Sequence, residues 1–256
     1  MFRLGRGRPV IDPFQLASEK GLCLPCGRVI VLLTDFMFKY AMRLLEDVER
    51  VGYYAPASGF AKGRYGGVEV FLTRPYFGAP AAATTLEMLV AGGGRVFVVV
   101  GEVGALNPVL RIGDVLVPTW GLREEGVSFH YMPPNYVPKP DRELAGKLFR
   151  EVRRVKGRRR IRVVKGGVWS IDALFRETRD KVVEYSRIGI LGVDMESTAL
   201  MTVAAYRKVK LAVVAAVSDE LYGEEWKKGF STRKLRRTEK IVVKAALNTI
   251  TQYGLG

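Results

Sequence analysis

Seven apolar runs constrain this chain more than any other feature. They are "RVIVLLT" (28–34), "GVEVFLT" (67–73), "RVFVVVG" (95–101), "GDVLVP" (113–118), "RVVKGGV" (162–168), "GILGV" (189–193) and "KLAVVAAVS" (210–218). Several are apolar at successive positions, so such strands must be covered on both faces. Helical patterns fall between them, near 36–50, 80–92, 141–154, 172–186, 195–207 and 233–252. Pro80 precedes "AAATTLEML" and Pro140-Asp141 precede "RELAGKLF", both sound helix entries. This alternation predicts one α/β domain over 1–256, with 1–27 as an N-terminal extension. Its expected architecture is a three-layer α/β/α stack around a mixed, mostly parallel central sheet.

The chain is 48% hydrophobic, yet no apolar run reaches membrane-spanning length. The basic start "MFRLGRGRPVIDPF" has no apolar signal core. The expectation is a cytoplasmic protein with no membrane partner. Net charge is +15, from 41 Lys and Arg against 26 Asp and Glu. The densest cluster is "RRVKGRRRIR" (153–162). No aromatics interleave there as stacking platforms, so it reads as a solvated helix end and nucleic acid is not the expected partner. Only three Asn and two Gln occur, a scarcity of thermolabile amides that suggests a hot-living source. Cys23 and Cys26 have C-x-x-C spacing, and His130 is the single histidine. That leaves too few ligands for a zinc site and favours a short disulfide or two free thiols.

In a sheet of this kind, ligands gather at the carboxyl ends of strands. Those ends carry Thr34-Asp35, "RPYFGAP" (74–80), Gly101 to Gly104, Asp194 to Ser197 and Ser218-Asp219-Glu220. The set is rich in carboxylates and has no His or Cys, which argues against a triad nucleophile. No Walker or dinucleotide glycine pattern is present, and no metal-ligand set. The segment 119–140, with its aromatics and four prolines, reads as an ordered functional loop.

"GVDMESTAL" (192–200) places Met195 and Glu196 where a strand turns into a helix, and "AVVAAVSDE" (212–220) ends a strand in Ser218-Asp219. With "VVVGEVGALNPVLRIGDVLVP" and "YFGAP…EML", in this order, the chain resembles the nucleoside phosphorylase family over about 28–250. The resemblance implies a pentosyltransferase that cleaves the N-glycosidic bond of nucleosides in salvage. It implies no cofactor, with inorganic phosphate as a possible co-substrate, and a homo-oligomer, dimer or hexamer. Asp219 resembles the acid on the purine side of the base. Glu196 resembles the ribose-binding glutamate, with Met195 against the sugar. Ser218, Trp169, Leu174 and Phe175 fall where relatives contact the base. Phe129 and His130 fall near the active site of relatives. The Gln and Arg that read uracil in pyrimidine-specific members have no clear counterpart in "SIDALFRETRD", so a purine is the expected base.

The acceptor end departs from the family. There the resemblance points to Thr34, Asp35, Gly78, Gly101 and Arg74. However, Thr34 stands at a glycine position, Phe38 at an arginine position, Val99 at a second arginine position, and Glu102 where a Thr or Ser is usual. Phosphate recognition relies on arginine and N–H donors. An ionised carboxylate about 4 Å from the anion costs roughly 4 kcal/mol at an effective dielectric near 20. Three roles stay open for Glu102: an ion pair with Arg74, a solvated side chain turned outward, or a general base for a water beneath C1′. The alternatives to phosphorolysis are thus a hydrolytic nucleosidase using Glu102, and a nucleoside binder without turnover.

Overall fold

The computed structural model describes residues 4–5, 7–52 and 57–254. Residues 1–3 and 6 of the expected N-terminal extension lie outside the described residues. In chain order the elements are α1 (Pro13–Glu19), β1 (Arg28–Leu32), α2 (Asp35–Met42), β2 (Glu46–Arg50), β3 (Ala57–Tyr65), β4 (Val68–Pro75), α3 (Ala79–Ala91), β5 (Val96–Ala105), β6 (Val115–Glu124), α4 (Arg142–Lys156), β7 (Val163–Ile171), α5 (Arg179–Arg187), β8 (Ile190–Asp194), α6 (Ser197–Tyr206), β9 (Lys210–Glu220), β10 (Lys227–Lys228) and α7 (Arg233–Thr251).

The strands form one mixed sheet in the order β10-β9-β6-β7-β8-β5-β1-β4-β3-β2, and β5 also pairs with β9. The extra pairing closes β5, β9, β6, β7 and β8 into a ring, so half of the sheet is a small barrel. The expected α/β architecture is therefore present, with this closure added. Successive residues of one strand serve opposite faces. Ile30, Val98 and Ala212 pack with Leu148 of α4 and Val242 of α7. Val29, Phe97 and Val213 pack with Leu86 of α3 and Leu200 of α6. Two-sided burial is why β1, β5 and β9 are apolar at successive positions.

Two helix boundaries differ from the sequence pattern. The helix expected over 36–50 stops at Met42, and Glu46–Arg50 pairs antiparallel with β3. Every residue of β2 is exposed, and Asp47 takes a positive φ of 51° at a register shift. A charged, bulged edge strand looks like a helix surface in sequence; only its pairing identifies it. The helix expected over 172–186 starts at Arg179, after a 3-10 turn at Leu174–Arg176.

One irregularity positions the site. β5 and β9 run parallel in register up to Val103 opposite Val217; the next pair is Gly104 opposite Asp219. Ser218 is thus an extra residue, a bulge of the kind that re-aims side chains at strand ends.

Candidate active site

The ends of β5, β8 and β9 and the start of α5 enclose a cavity of about 660 Å³. Its wall includes Met195, Glu196, Ser218, Asp219, Leu174 and Phe175, so these sequence-predicted residues come together. Phe175 is 95% exposed and stands at the mouth. A second cavity of about 490 Å³ adjoins it, lined by Thr34, Asp35, Lys39, Arg43 and Arg236 among others. Glu102 and Phe230 line both.

Asp219 is buried and accepts one hydrogen bond at each oxygen. The Ser218 hydroxyl donates to its Oδ1 at 2.6 Å, and the Trp226 indole N–H donates to its Oδ2 at 2.7 Å. Burial raises the Asp219 pKa above the ordinary carboxylate range, and these two donors offset part of that rise. Gly104 makes room for it. A Cβ there would collide with Leu221 and lie 3.1 Å from Asp219 Oδ2.

Glu196 sits at the first turn of α6, held by its neighbours. Asp194 accepts from the Glu196 and Ser197 N–H groups at 3.3 and 3.2 Å and from the Ser170 hydroxyl at 2.5 Å. Asp194 is thus the anchor of this turn. The Gly78 N–H donates to Glu196 Oε1 at 2.8 Å. Burial, then the nearby Asp194 charge, push Glu196 up to about 7. Gly78 has φ +93°, which fits glycine and aims its N–H inward.

Glu102 differs most from the sequence expectation. It does not pair with Arg74; Arg74 lies 3.9 Å from Asp35, which also accepts from Lys39 at 2.7 Å. Instead Glu102 hydrogen-bonds the carboxyl group of Glu239, with Arg236 close enough to act on it. Glu239 is fully buried, and Arg236 Nη1 donates to both its oxygens at 2.9 Å. Burial and the Glu239 carboxylate push Glu102 up to about 8. With one proton on the pair and one cation beside it, the cluster is neutral near pH 7. The repulsion inferred from an ionised Glu102 therefore does not apply while its proton is shared with Glu239.

Several predicted residues fall elsewhere. Trp169 is wholly buried in a separate core cluster with Leu106 and Ile190, its indole N–H donating to Glu124 Oε2 at 3.0 Å. Strand geometry turns it away from the cavity. Gly101 and Arg74 line neither cavity; a Cβ on Gly101 would meet Leu33 at 2.8 Å. Gly78 serves Glu196 rather than an acceptor site. Phe38 lies in the core, its ring against Gly59, and Val99 is fully buried, so neither position has room for a cation. The 119–140 segment is ordered by Arg123, which donates to the Met132, Pro133 and Tyr136 carbonyls. Its Phe129 and His130 line neither cavity. Cys23 and Cys26 are free thiols. The basic cluster is an exposed helix end whose Lys156 and Arg159 satisfy backbone carbonyls.

Sequence reasoning did not single out Glu177, Trp226, Glu239 or Arg236. Glu177 lines the larger cavity, and burial with the Asp219 and Asp194 charges pushes it up to about 7. Five carboxylates thus face one cavity in a chain of net charge +15. Such a cavity suits a ligand rich in O–H and N–H donors.

The profile of the phosphorylase superfamily matches residues 28–248. A DeoD-type purine nucleoside phosphorylase of Bacillus velezensis is 28% identical over 81% of this chain and 86% of its own length. The uridine phosphorylase of Escherichia coli is 26% identical over 70% of this chain and 76% of its own. Among solved structures, a purine nucleoside phosphorylase from Toxoplasma gondii in complex with immucillin-H superposes with a TM-score of 0.80. It has 18% identity and covers 91% of this chain and 92% of that one. In the described residues no helix is long and apolar enough to cross a membrane. With the family profile spanning most of its length, the chain belongs to the phosphorylase superfamily, as a relative of the uridine and purine nucleoside phosphorylases.

Proposed function

We propose that the protein cleaves the N-glycosidic bond of a purine nucleoside by phosphorolysis. The observation that carries this reading is the bulge at Ser218, which brings Asp219 into the cavity that Glu196 lines. Glycosidic cleavage passes through an oxocarbenium-like transition state. The C1′–N bond breaks with its electron pair going to the base, and a phosphate oxygen bonds C1′. Asp219, held above the ordinary carboxylate range by burial, supplies the proton or hydrogen bond that the departing base needs. Glu196 accepts from the ribose hydroxyls and Met195 packs on the sugar, while Ser218, Leu174 and Phe175 face the base.

Phosphate is assigned to the second cavity, where Lys39, Arg43 and Arg236 supply cations and Glu102 faces both ligands. A protonated Glu102, its O–H given to Glu239, sets no negative charge against the phosphate. The same proton makes it a poor base for water near pH 7, which disfavours hydrolysis. The reading includes a homo-oligomer, with Phe77 and Phe175, 75% and 95% exposed, at the cavity rim where a second copy would cover them.

Incubation with inosine, adenosine, guanosine, methylthioadenosine and uridine, with and without phosphate, tests the reading. The expected result is purine release that requires phosphate and yields ribose 1-phosphate. Release indifferent to phosphate would make the protein a hydrolase. Binding without turnover would make it a non-catalytic relative.

A further inference from the structure

A cavity of about 610 Å³ lies between β6, β7 and the start of α4, and shares no lining residue with the two described above. Its wall carries Lys139, Arg142 and Lys165 with Trp120, Val137 and Pro140, and among the described residues no acidic side chain lines it. Its charge is the reverse of the nucleoside cavity's, which gathers carboxylates. The cations come from three pieces of chain: the loop before α4, the first residue of α4, and β7. The Gly121 N–H donates to the Pro138 carbonyl at 2.9 Å, which fastens that loop to β6. The acidic neighbours are engaged elsewhere. Asp141 accepts from the Leu144 N–H at 2.8 Å, and Glu143 pairs with Lys147 at 2.9 Å. Among the described residues no carboxylate pairs with Lys139, Arg142 or Lys165; Lys165 lies 4.5 Å from the Phe149 ring centroid. The Trp120 ring rests on Gly167, where a Cβ would meet it at 2.7 Å, and it also lines the cavity.

A cleft lined by one sign of charge concentrates ions of the other. Guanidinium and ammonium groups take phosphate oxygens, and an indole ring is a platform on which a flat base stacks. We infer that this cavity binds a nucleoside phosphate, its phosphate on Lys139, Arg142 and Lys165 and its base on Trp120. The volume suits a ligand of that size. A single nucleotide fits better than a strand, because a strand needs a succession of platforms and Trp120 is the one aromatic in this wall among the described residues.

The test is equilibrium binding of AMP, measured by calorimetry at low salt, and it is independent of turnover. The proteins compared are the wild type, Arg142→Gln combined with Lys165→Gln, Trp120→Leu, and Glu196→Ala as a control for binding in the nucleoside cavity. AMP should bind the wild type and Glu196→Ala alike. The paired cation substitutions should weaken it by about ten-fold or more, and Trp120→Leu by about five-fold or more. Ribose 5-phosphate, which has the same phosphate and no base, should bind about five-fold or more weakly than AMP. The paired cation variant should keep the wild-type kcat/KM for any nucleoside that is cleaved. Should Trp120→Leu fail to fold, Lys139→Gln, at an exposed side chain, reads the same site by a loss of about ten-fold. Binding lost in Glu196→Ala but kept in the cation variants would put AMP in the nucleoside cavity and overturn the proposal. Equal binding of AMP and ribose 5-phosphate would reduce the cavity to an anion site and overturn it too. So would a single-stranded oligonucleotide that binds here and is not displaced by AMP, or the absence of AMP binding, as a second copy covering the cavity would produce.

Discussion

Glu102 at the end of β5 and Glu239 on α7 are joined carboxyl to carboxyl, with Arg236 holding both oxygens of Glu239. The pair lies between the two cavities' chemistry, because Glu102 lines both. Its proton decides whether the acceptor site meets a neutral carboxyl group or an anion.

Phosphate use should therefore depend on pH through Glu102. The group is neutral below about 8 and negative above. KM for phosphate is expected to rise as pH passes upward through 8, and Glu102→Gln should flatten that rise. Initial rates at pH 6 to 9.5 measure it; identical profiles in the two proteins would refute it.

The same group bears on stability. Its folded pKa of about 8 stands above the ordinary 4.5, so between these values the folded state binds more protons than the unfolded. Stability then falls as pH rises from about 4.5 to 8 and levels beyond. Glu102→Gln should melt higher than wild type at pH 9, with the gap closing towards pH 5. Thermal melts across that range check the sign.

Asp219→Asn should lower kcat by about 100-fold to 10,000-fold, the range for loss of a positioned acid, and leave ribose contacts intact. Trp226→Phe removes a donor that lowers the Asp219 pKa. The alkaline limb of kcat/KM should therefore move to higher pH. A limb that stays in place would separate Asp219 from the proton step.

Glu196→Ala should erase the preference for ribonucleosides over 2′-deoxynucleosides. A hydrogen bond to a charged group contributes about 1.5–3 kcal/mol, so the ribonucleoside should lose most. Competition assays with inosine and 2′-deoxyinosine read the ratio. Equal losses on both sugars would assign Glu196 only a structural role.

Gly104→Ala should reduce activity more than stability. The added Cβ meets Leu221 and Asp219 Oδ2, and overpacking of this kind costs about 1–3 kcal/mol. Kinetics alongside thermal melting check this; full activity would show that Asp219 tolerates displacement.

The sequence by itself determined seven of the ten described strands, the two-sided burial of the central ones and the family. Apolar runs and the "GVDMESTAL" and "AVVAAVSDE" strand ends are local signals, and burial on both faces leaves a mark at every position. Met195, Glu196, Ser218 and Asp219 were legible for that reason. Tertiary structure decided what those signals leave open. It turned Trp169 into the core, ended α2 before a charged edge strand, and put Glu177 in the wall of the cavity. It also set the state of Glu102, because a carboxyl group's charge depends on what packs against it. Here that is a buried Glu239 with its Arg236, from a helix far along the chain. Proton occupancy is a property of contacts in space, and no local pattern in the sequence encodes it.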